Sequence, residues 1–153
     1  MSAVGKSTVL AELARRGHRV VDTDEDDWIE HVPVPGQSEP EPVWRADQMS
    51  VLLDTREFGT LFVAGTVANQ GAFYDRFDAV VLLSAPVDVM LERLATRATN
   101  DFGTSPADRA RVVADTAAVE PLLRRRATLE VDTRRPLTEV VDAVEAAAGA
   151  VGR

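Results

Sequence analysis

Gly5-Lys6-Ser7-Thr8 is the stretch that decides the fold, and an apolar helical pattern follows it directly. These four residues form the second half of the motif G-x-x-x-x-G-K-[ST]. Glycine lets the backbone turn so that its N–H groups converge on phosphate oxygens, and a helix beginning here points its positive end at the same anion. The stretch therefore predicts a phosphate-binding loop, and the alternative is a chance match at a flexible terminus.

Each residue type in the motif has a chemical role. Lys6 would bring a compact positive charge to the β- and γ-phosphates of a nucleotide, and the Ser7 hydroxyl would bind Mg²⁺. The backbone from Val4 to Thr8 would surround the phosphates. The motif thus predicts ATP and Mg²⁺ as cofactors, with Gly5, Lys6, Ser7 and Thr8 at the nucleotide.

The motif stands at the amino end of the chain. Its first glycine would fall one position before Met1, and the strand that normally leads into such a loop would lie before that glycine. We therefore expect an N-terminally truncated chain whose first, central strand is missing. Such a loss would weaken the anchoring of the loop and its affinity for ATP.

Length and composition limit the possible classes of protein. A chain of 153 residues with 45% hydrophobic and 27% charged residues predicts one soluble domain over residues 1–153. The formal net charge of −8 argues against nucleic-acid and membrane partners. The absence of cysteine excludes disulfides, thiolate metal sites and a cysteine nucleophile, and it fits a cytoplasmic protein.

Strand patterns alternate with helical patterns along the chain. Strands are predicted at about residues 19–23, 60–65, 78–84 and 127–131, and the apolar run at 78–84 is typical of a buried parallel strand. Helices are predicted at 6–16, 44–57, after Pro86, from Ser105 toward Arg126, and around 137–144. The alternation predicts an α/β fold with three layers and a parallel sheet.

The segment 25–43 has a different character. It is acidic at first and then contains four prolines, Pro33, Pro35, Pro40 and Pro42, which exclude a long helix. We interpret it as a mobile segment on the substrate side, and the alternative is a solvated surface loop.

Candidate site residues follow the predicted strands. Ligands of parallel α/β sheets bind at the carboxyl ends of the strands. Asp22 and Asp24 follow the strand at 19–23, and Gly65 and Thr66 follow the strand at 60–65. We therefore expect these side chains to share one site with the phosphate-binding loop.

Together these residues resemble the small P-loop kinases: shikimate, gluconate and nucleoside monophosphate kinases. They also resemble uncharacterised bacterial AAA-family ATP-binding proteins. The resemblance is most specific at 5–8 and weaker at Val21-Asp22-Thr23-Asp24. It implies that Asp22 helps to hold Mg²⁺ and that Asp24 contacts the acceptor hydroxyl or acts as base. The alternative is that both aspartates only end a strand and cap a turn.

The resemblance implies further roles outside these motifs. It places a lid at about residues 93–108, in which Arg93 and Arg97 close over the phosphates. The alternative is an exposed arginine face. It places Arg134 in an adenine-binding loop, where its guanidinium would stack on the base. Gly65 and Thr66 would bind substrate, but the turn lacks the three glycines of shikimate kinases, so the acceptor is expected to differ from shikimate.

The function predicted from these features is that of an ATP-dependent phosphotransferase. It would transfer the γ-phosphate of ATP to a hydroxyl group of a small molecule. Alternatives are an enzyme similar to nucleoside monophosphate kinases, and a nucleotide-binding module or slow ATPase without a dedicated acceptor. Asp22 and Asp24 favour a hydroxyl acceptor, because carboxylates repel a phosphate.

Overall fold

The computed structural model describes residues 3–24, 26–55, 57–96 and 105–150. The chain divides into two compact units. The first unit consists of Met1–Val9 and Ala79–Arg153, and the second of Leu10–Asp78. The prediction of a single domain over residues 1–153 stays a prediction.

The second unit contains a parallel and an antiparallel strand pair. Strand β1 (Arg19–Asp22) pairs in parallel with β4 (Leu61–Ala64), with Asp22 opposite Ala64. Strands β2 (Ile29–Val32) and β3 (Glu41–Trp44) form an antiparallel hairpin. The remaining elements are most of helix α1 (Lys6–Arg15), helix α2 (Ala46–Asp54) and 3₁₀ turns at Asp26–Trp28 and Gln70–Arg76.

The first unit combines one parallel strand pair with three helices and the first turn of α1. Strand β5 (Val81–Ser84) pairs with β6 (Leu129–Asp132), with Ser84 opposite Asp132. The helices are α3 (Val87–Thr96), α4 (Pro106–Arg126) and α5 (Leu137–Ala150). Both parallel pairs confirm the predicted α/β character of the chain.

Local capping signals fix the helix ends. At the end of α1, Gly17 has a φ of +92°, and the His18 N–H donates to the Leu13 carbonyl oxygen at 3.1 Å. This is a Schellman motif, which uses the freedom of glycine to reach positive φ. At the start of α4, Ser105 Oγ accepts from the Asp108 N–H at 3.0 Å, as the capping pattern predicts.

Each unit has an apolar cluster of its own. In the second unit, Trp44 and Met49 lead a cluster that includes Val67 and Phe73. In the first unit, the apolar stripe of α3 buries Met90 and Leu94, and Met90 packs with Val4 and Ala85. Helix α5 buries the valines that the sequence placed on its inner face: Val140, Val141 and Val144.

The structure corrects two predictions. The segment 25–43 is not one loop, because it contains β2 and most of β3. The helix predicted from residue 44 begins at Ala46, since Trp44 ends β3. Across the described ranges, hydrogen bonds join the strands in three pairs, of which β1–β4 and β5–β6 are parallel. The single sheet, its three-layer arrangement and the missing central strand stay predictions.

Charge is distributed unevenly between the two units. Residues 10–78 contain fourteen Asp and Glu against six Arg, which leaves eleven acidic and eleven basic residues elsewhere. The formal charge of −8 therefore belongs to the second unit, while the first is formally neutral. Among the helices of the described ranges, none is long and apolar enough to cross a membrane.

Candidate functional site

The phosphate-binding loop leads directly into α1. Gly5 has a φ of +103°, and its carbonyl oxygen accepts the Val9 N–H at 3.0 Å, which closes the first turn. Among the described residues, a methyl group on Gly5 would meet only the Thr133 side chain, at 4.0 Å. Space therefore permits a side chain at position 5, and it is the positive φ that requires glycine.

The first turn of α1 suits an anion. This turn, which lies wholly within the described residues, contains no Asp or Glu, whereas the first turns of the other helices each contain one. Lys6 is half-buried, and Ser7 and Thr8 are exposed. Lys6 is also the one lysine of the sequence; the other sixteen of the 17 basic residues are arginine. Within this turn, no acidic residue opposes the positive end of the helix dipole.

Val4 anchors the loop to the first unit. Its side chain is 2% exposed and packs with Ala85, which follows β5, and with Met90 of α3. Because this side chain is buried, Val4 can serve a phosphate only through its backbone. The loop thus begins on the apolar cluster of the first unit and continues into the first turn of α1.

Arg93 ties the loop to the segment that follows β6. Its Nη1 donates to the Ala3 carbonyl oxygen at 3.3 Å and to Thr133 Oγ1 at 2.9 Å, and its Nη2 donates to the Thr133 carbonyl oxygen at 2.8 Å. The Thr133 N–H in turn donates to the carbonyl oxygen of Ser84 at 2.9 Å. Arg93 was predicted to close over phosphates; here its guanidinium holds two backbone segments of the first unit together.

Arg134 follows Thr133 in the chain and is held by Asp132. Its Nε and Nη2 donate to the Asp132 carboxylate, with Nε 2.9 Å from Oδ2, and its backbone N–H donates to Oδ1 at 2.9 Å. These hydrogen bonds from Arg134 lower the pKa of Asp132 to about 2. The carboxylate raises the pKa of the Arg134 guanidinium in return. The Arg134 side chain remains 58% exposed, and stacking on adenine stays a prediction.

Asp22 and Asp24 lie in the second unit, on either side of a buried residue. Thr23 is fully buried, Asp22 is half-buried and Asp24 is exposed. The Asp24 N–H donates to Asp22 Oδ1 at 3.1 Å, as in an Asx turn. The Thr23 N–H donates to the Ala64 carbonyl oxygen at 2.9 Å, which extends the β1–β4 pairing by one residue.

Gly65 follows β4 and packs closely against this turn. A methyl group on Gly65 would lie 2.0 Å from Thr23 Oγ1 and 3.3 Å from the Trp44 indole. Close packing thus explains why position 65 is a glycine. Substrate contacts by Gly65 and the half-buried Thr66 stay predictions. The contact of Trp44 with this turn was not predicted from the sequence.

Two polar side chains near this turn support the backbone. Asn69 Oδ1 accepts the Trp44 N–H at 2.8 Å, and Asn69 Nδ2 donates to the Trp44 carbonyl oxygen at 2.9 Å. Gln70 Oε1 accepts the Val67 N–H at 2.9 Å. These hydrogen bonds give both side chains a structural role.

The predicted site residues fall into two groups. Val4, Gly5, Lys6, Ser7, Thr8, Arg93 and Arg134 belong to the first unit, and Asp22, Asp24, Gly65 and Thr66 belong to the second. Arg97 and half of the predicted lid, residues 97–104, lie outside the described residues. Thr133 and Trp44 are the residues that sequence reasoning missed, because their hydrogen bonds join distant positions.

The residues present fit a magnesium ion that is held mainly by nucleotide phosphates. Across the described ranges, no group of three or more His, Cys, Asp and Glu comes together to hold a metal. Mg²⁺ in phosphate-binding sites keeps several waters and needs only one or two protein ligands besides the phosphates. The exposed hydroxyl of Ser7, in the first turn of α1, can provide such a ligand.

Comparison with known proteins identifies the family. The chain matches the AAA domain family over residues 1–114 of its 153 and therefore belongs to that family. Membership assigns it to the P-loop nucleotide-binding proteins. The match includes the phosphate-binding loop, both aspartates and Arg93, whereas Thr133 and Arg134 lie beyond it. No curated protein matches the chain.

Proposed function

We propose that this protein is an ATP-dependent phosphotransferase with a small molecule bearing a hydroxyl group as acceptor. The phosphates of ATP·Mg²⁺ are bound by the backbone of residues 4–8 and by Lys6, and the Ser7 hydroxyl is a ligand of the ion. Asp22 acts on the metal side, and Asp24 orients the acceptor hydroxyl or accepts its proton. Arg93 and Arg97 belong to the proposal as the arginines that offset charge on the transferred group.

The first turn of α1 is the observation that carries the nucleotide part. A glycine at φ +103° opens a helix whose first turn holds Lys6 and no acidic residue. Backbone N–H groups at a helix start, together with the helix dipole, form a site for phosphate. The family assignment supports the same ligand.

The composition of the basic residues adds a second argument. Sixteen of the 17 basic residues are arginine, and lysine occurs only at position 6. A lysine ammonium is a compact point charge on a flexible stem, whereas a guanidinium is a wide planar group. A lysine at this one position fits a role that requires a compact charge between phosphate oxygens.

The acceptor class follows from the second unit. Asp22 and Asp24 lie in a segment, residues 22–41, with eight acidic residues and neither lysine nor arginine. Such a segment disfavours an acceptor that carries phosphate, because like charges repel each other. A neutral hydroxyl compound therefore fits better than a nucleoside monophosphate.

The family assignment also favours a second candidate function. A nucleotide-binding module or slow ATPase of the AAA type would use the same loop and no dedicated acceptor. Such a protein would transfer the phosphoryl group to water at a rate that added hydroxyl compounds leave unchanged.

The binding part is tested by labelling the one lysine. An amine-reactive reagent can modify only the Lys6 side chain and the terminal amine, and mass spectrometry separates these two products. ATP with Mg²⁺ is expected to protect Lys6, and adenosine is expected to leave it reactive because it lacks phosphates. Equal protection by ATP and adenosine would contradict phosphate binding at this residue. The variant Lys6→Arg keeps the charge and is the matched control for loss of affinity.

The transfer part is tested by a coupled assay for ADP. Sugars, shikimate and nucleoside monophosphates are each added to protein and ATP·Mg²⁺. ADP formation that rises with a hydroxyl compound supports the proposal, and a rise only with nucleoside monophosphates would replace it. A rate of ADP formation that stays the same with every added acceptor supports the ATPase.

A further inference from the structure

The Trp44 indole connects the hairpin to the turn that holds the two aspartates. Its Nε1–H donates to Thr23 Oγ1 at 2.8 Å, and the Thr23 hydroxyl donates to the Ala64 carbonyl oxygen at 2.7 Å. Trp44 is 4% exposed and Thr23 is fully buried. The Thr23 hydroxyl thus accepts one hydrogen bond and donates another, and it is buried away from solvent.

Burial of Thr23 determines where its neighbours point. Thr23 and Asp24 form the turn that directly follows β1. In this turn the Thr23 side chain is fully buried, whereas Asp22 is half-buried and Asp24 is exposed. The hydrogen bond from the Asp24 N–H to Asp22 Oδ1, at 3.1 Å, further orients the first carboxylate.

Trp44 itself has little freedom to move. Asn69 holds its backbone N–H and carbonyl oxygen at 2.8 and 2.9 Å. Its ring meets Phe73 edge to face, with centroids 5.8 Å apart. Gly65 leaves no room for a side chain between Thr23 and the indole. The indole N–H is therefore a fixed donor, and any displacement of Thr23 breaks a buried hydrogen bond.

We propose that Trp44 is a positioning residue that sets the direction of the Asp22 and Asp24 carboxylates through the Thr23 hydroxyl. What the carboxylates then do, on the metal and acceptor side, rests on the proposed function. The hairpin therefore helps to hold the aspartate turn in place, although none of its residues binds the nucleotide, the metal or the acceptor in the proposed function.

The variants that test this proposal separate the N–H from the packing. Trp44→Phe keeps an aromatic ring and removes the donor, and Thr23→Val keeps the shape and removes the hydroxyl. Thr23→Ser retains the hydroxyl and should restore the behaviour of the unaltered protein. Trp28→Phe, a change at the half-buried second tryptophan of the same unit, is the matched control.

Turnover and nucleotide affinity should respond differently. Trp44→Phe and Thr23→Val are each expected to lower acceptor turnover by about tenfold or more, with the ATP dissociation constant changed less than about twofold because the phosphate-binding loop keeps its residues. The double variant should lose no more than the worse single variant, since both changes break one chain of hydrogen bonds. Unchanged turnover in both single variants would overturn the proposal.

A second readout does not depend on the acceptor. The solvent-exchange rate of the Asp24 amide, measured by NMR, reports its hydrogen bond to Asp22. This rate should rise in Trp44→Phe and Thr23→Val relative to amides of the β1–β4 pair, and stay unchanged in Trp28→Phe. If the protein phosphorylates nothing, the proposed function fails and the exchange rate alone decides the positioning role. An unchanged Asp24 rate, or a uniform rise at all amides, would refute that role.

Discussion

Gly65→Ala is the substitution that tests the packing of the aspartate turn most directly. The added methyl group would lie 2.0 Å from Thr23 Oγ1, a distance at which an atom has to move. Thr23 is fully buried and its hydroxyl is bonded to Trp44 and to Ala64. It is a short β-branched side chain and not the end of a flexible one, so the turn itself must shift.

The expected loss follows from the contacts that are broken. Overpacking of a closed interior costs about 1–3 kcal/mol, and each of the two hydrogen bonds of the Thr23 hydroxyl contributes about 0.5–1.5 kcal/mol. The free energy of unfolding should therefore fall by about 2–6 kcal/mol for Gly65→Ala, a large part of the usual 5–15 kcal/mol. Urea denaturation followed by tryptophan fluorescence measures this change.

Gly71→Ala is the matched control in the same unit. No heavy atom of the described residues lies within 4 Å of a methyl group at Gly71, and its change should stay within about 0.5 kcal/mol. Thr23→Ala removes the atom that collides, so the double variant with Gly65→Ala should lose less than the sum of the two single losses. Additive losses, or a loss for Gly65→Ala no larger than that for Gly71→Ala, would refute the packing argument.

Three further predictions concern the first unit. Lys6→Ala should weaken ATP binding by tenfold or more, because about 1.4 kcal/mol of phosphate contact is enough for that factor; fluorescence titration measures it. Arg93→Gln should lower the free energy of unfolding by about 2 kcal/mol, since its three hydrogen bonds hold Ala3 and Thr133, and urea denaturation checks it. Asp132→Asn should flatten the acid side of the stability profile. The pKa of Asp132 is lowered to about 2, so its contribution is complete above about pH 4 and is lost as the pH falls through about 2; melting temperatures over this range test it.

Each of these three predictions has a control and a contradicting outcome. Lys6→Arg should keep more affinity than Lys6→Ala, and equal binding by all three proteins would argue against phosphate contact. Arg124→Gln breaks surface ion pairs with Glu120 and Glu130, so its loss should be smaller than that of Arg93→Gln. An acid profile of Asp132→Asn that follows the unaltered protein would contradict the role given to this carboxylate.

Local signals made several elements predictable from the sequence. Gly17 and Ser105 act within one helical turn of their own position, and both caps form as expected. The apolar spacing of α3 and α5 likewise depends on near neighbours, and its inner residues Met90, Leu94, Val140 and Val141 are buried. The hairpin escaped prediction because Pro42 stands inside one of its strands and three further prolines precede it between residues 33 and 40. Proline is tolerated on an edge strand, so it did not exclude a hairpin.

The candidate site was predictable only where its residues are contiguous. Gly5 and Lys6 stand side by side, and the motif alone indicated the loop. The bond between Arg93 and Thr133 spans 40 positions, and that between Trp44 and Thr23 spans 21. Contacts of this kind arise from the fold and leave no mark in the spacing of either residue.

The uneven distribution of charge has a consequence for behaviour in solution. Residues 10–78 carry the whole formal charge of −8, and the remainder of the chain is balanced. Dissolved ions screen repulsion between like charges. A rise in ionic strength should therefore weaken the repulsion among the acidic side chains of the second unit and change the stability of the first unit little. Sodium chloride should therefore protect the amides of residues 10–78 from thermal opening more than those of residues 105–150.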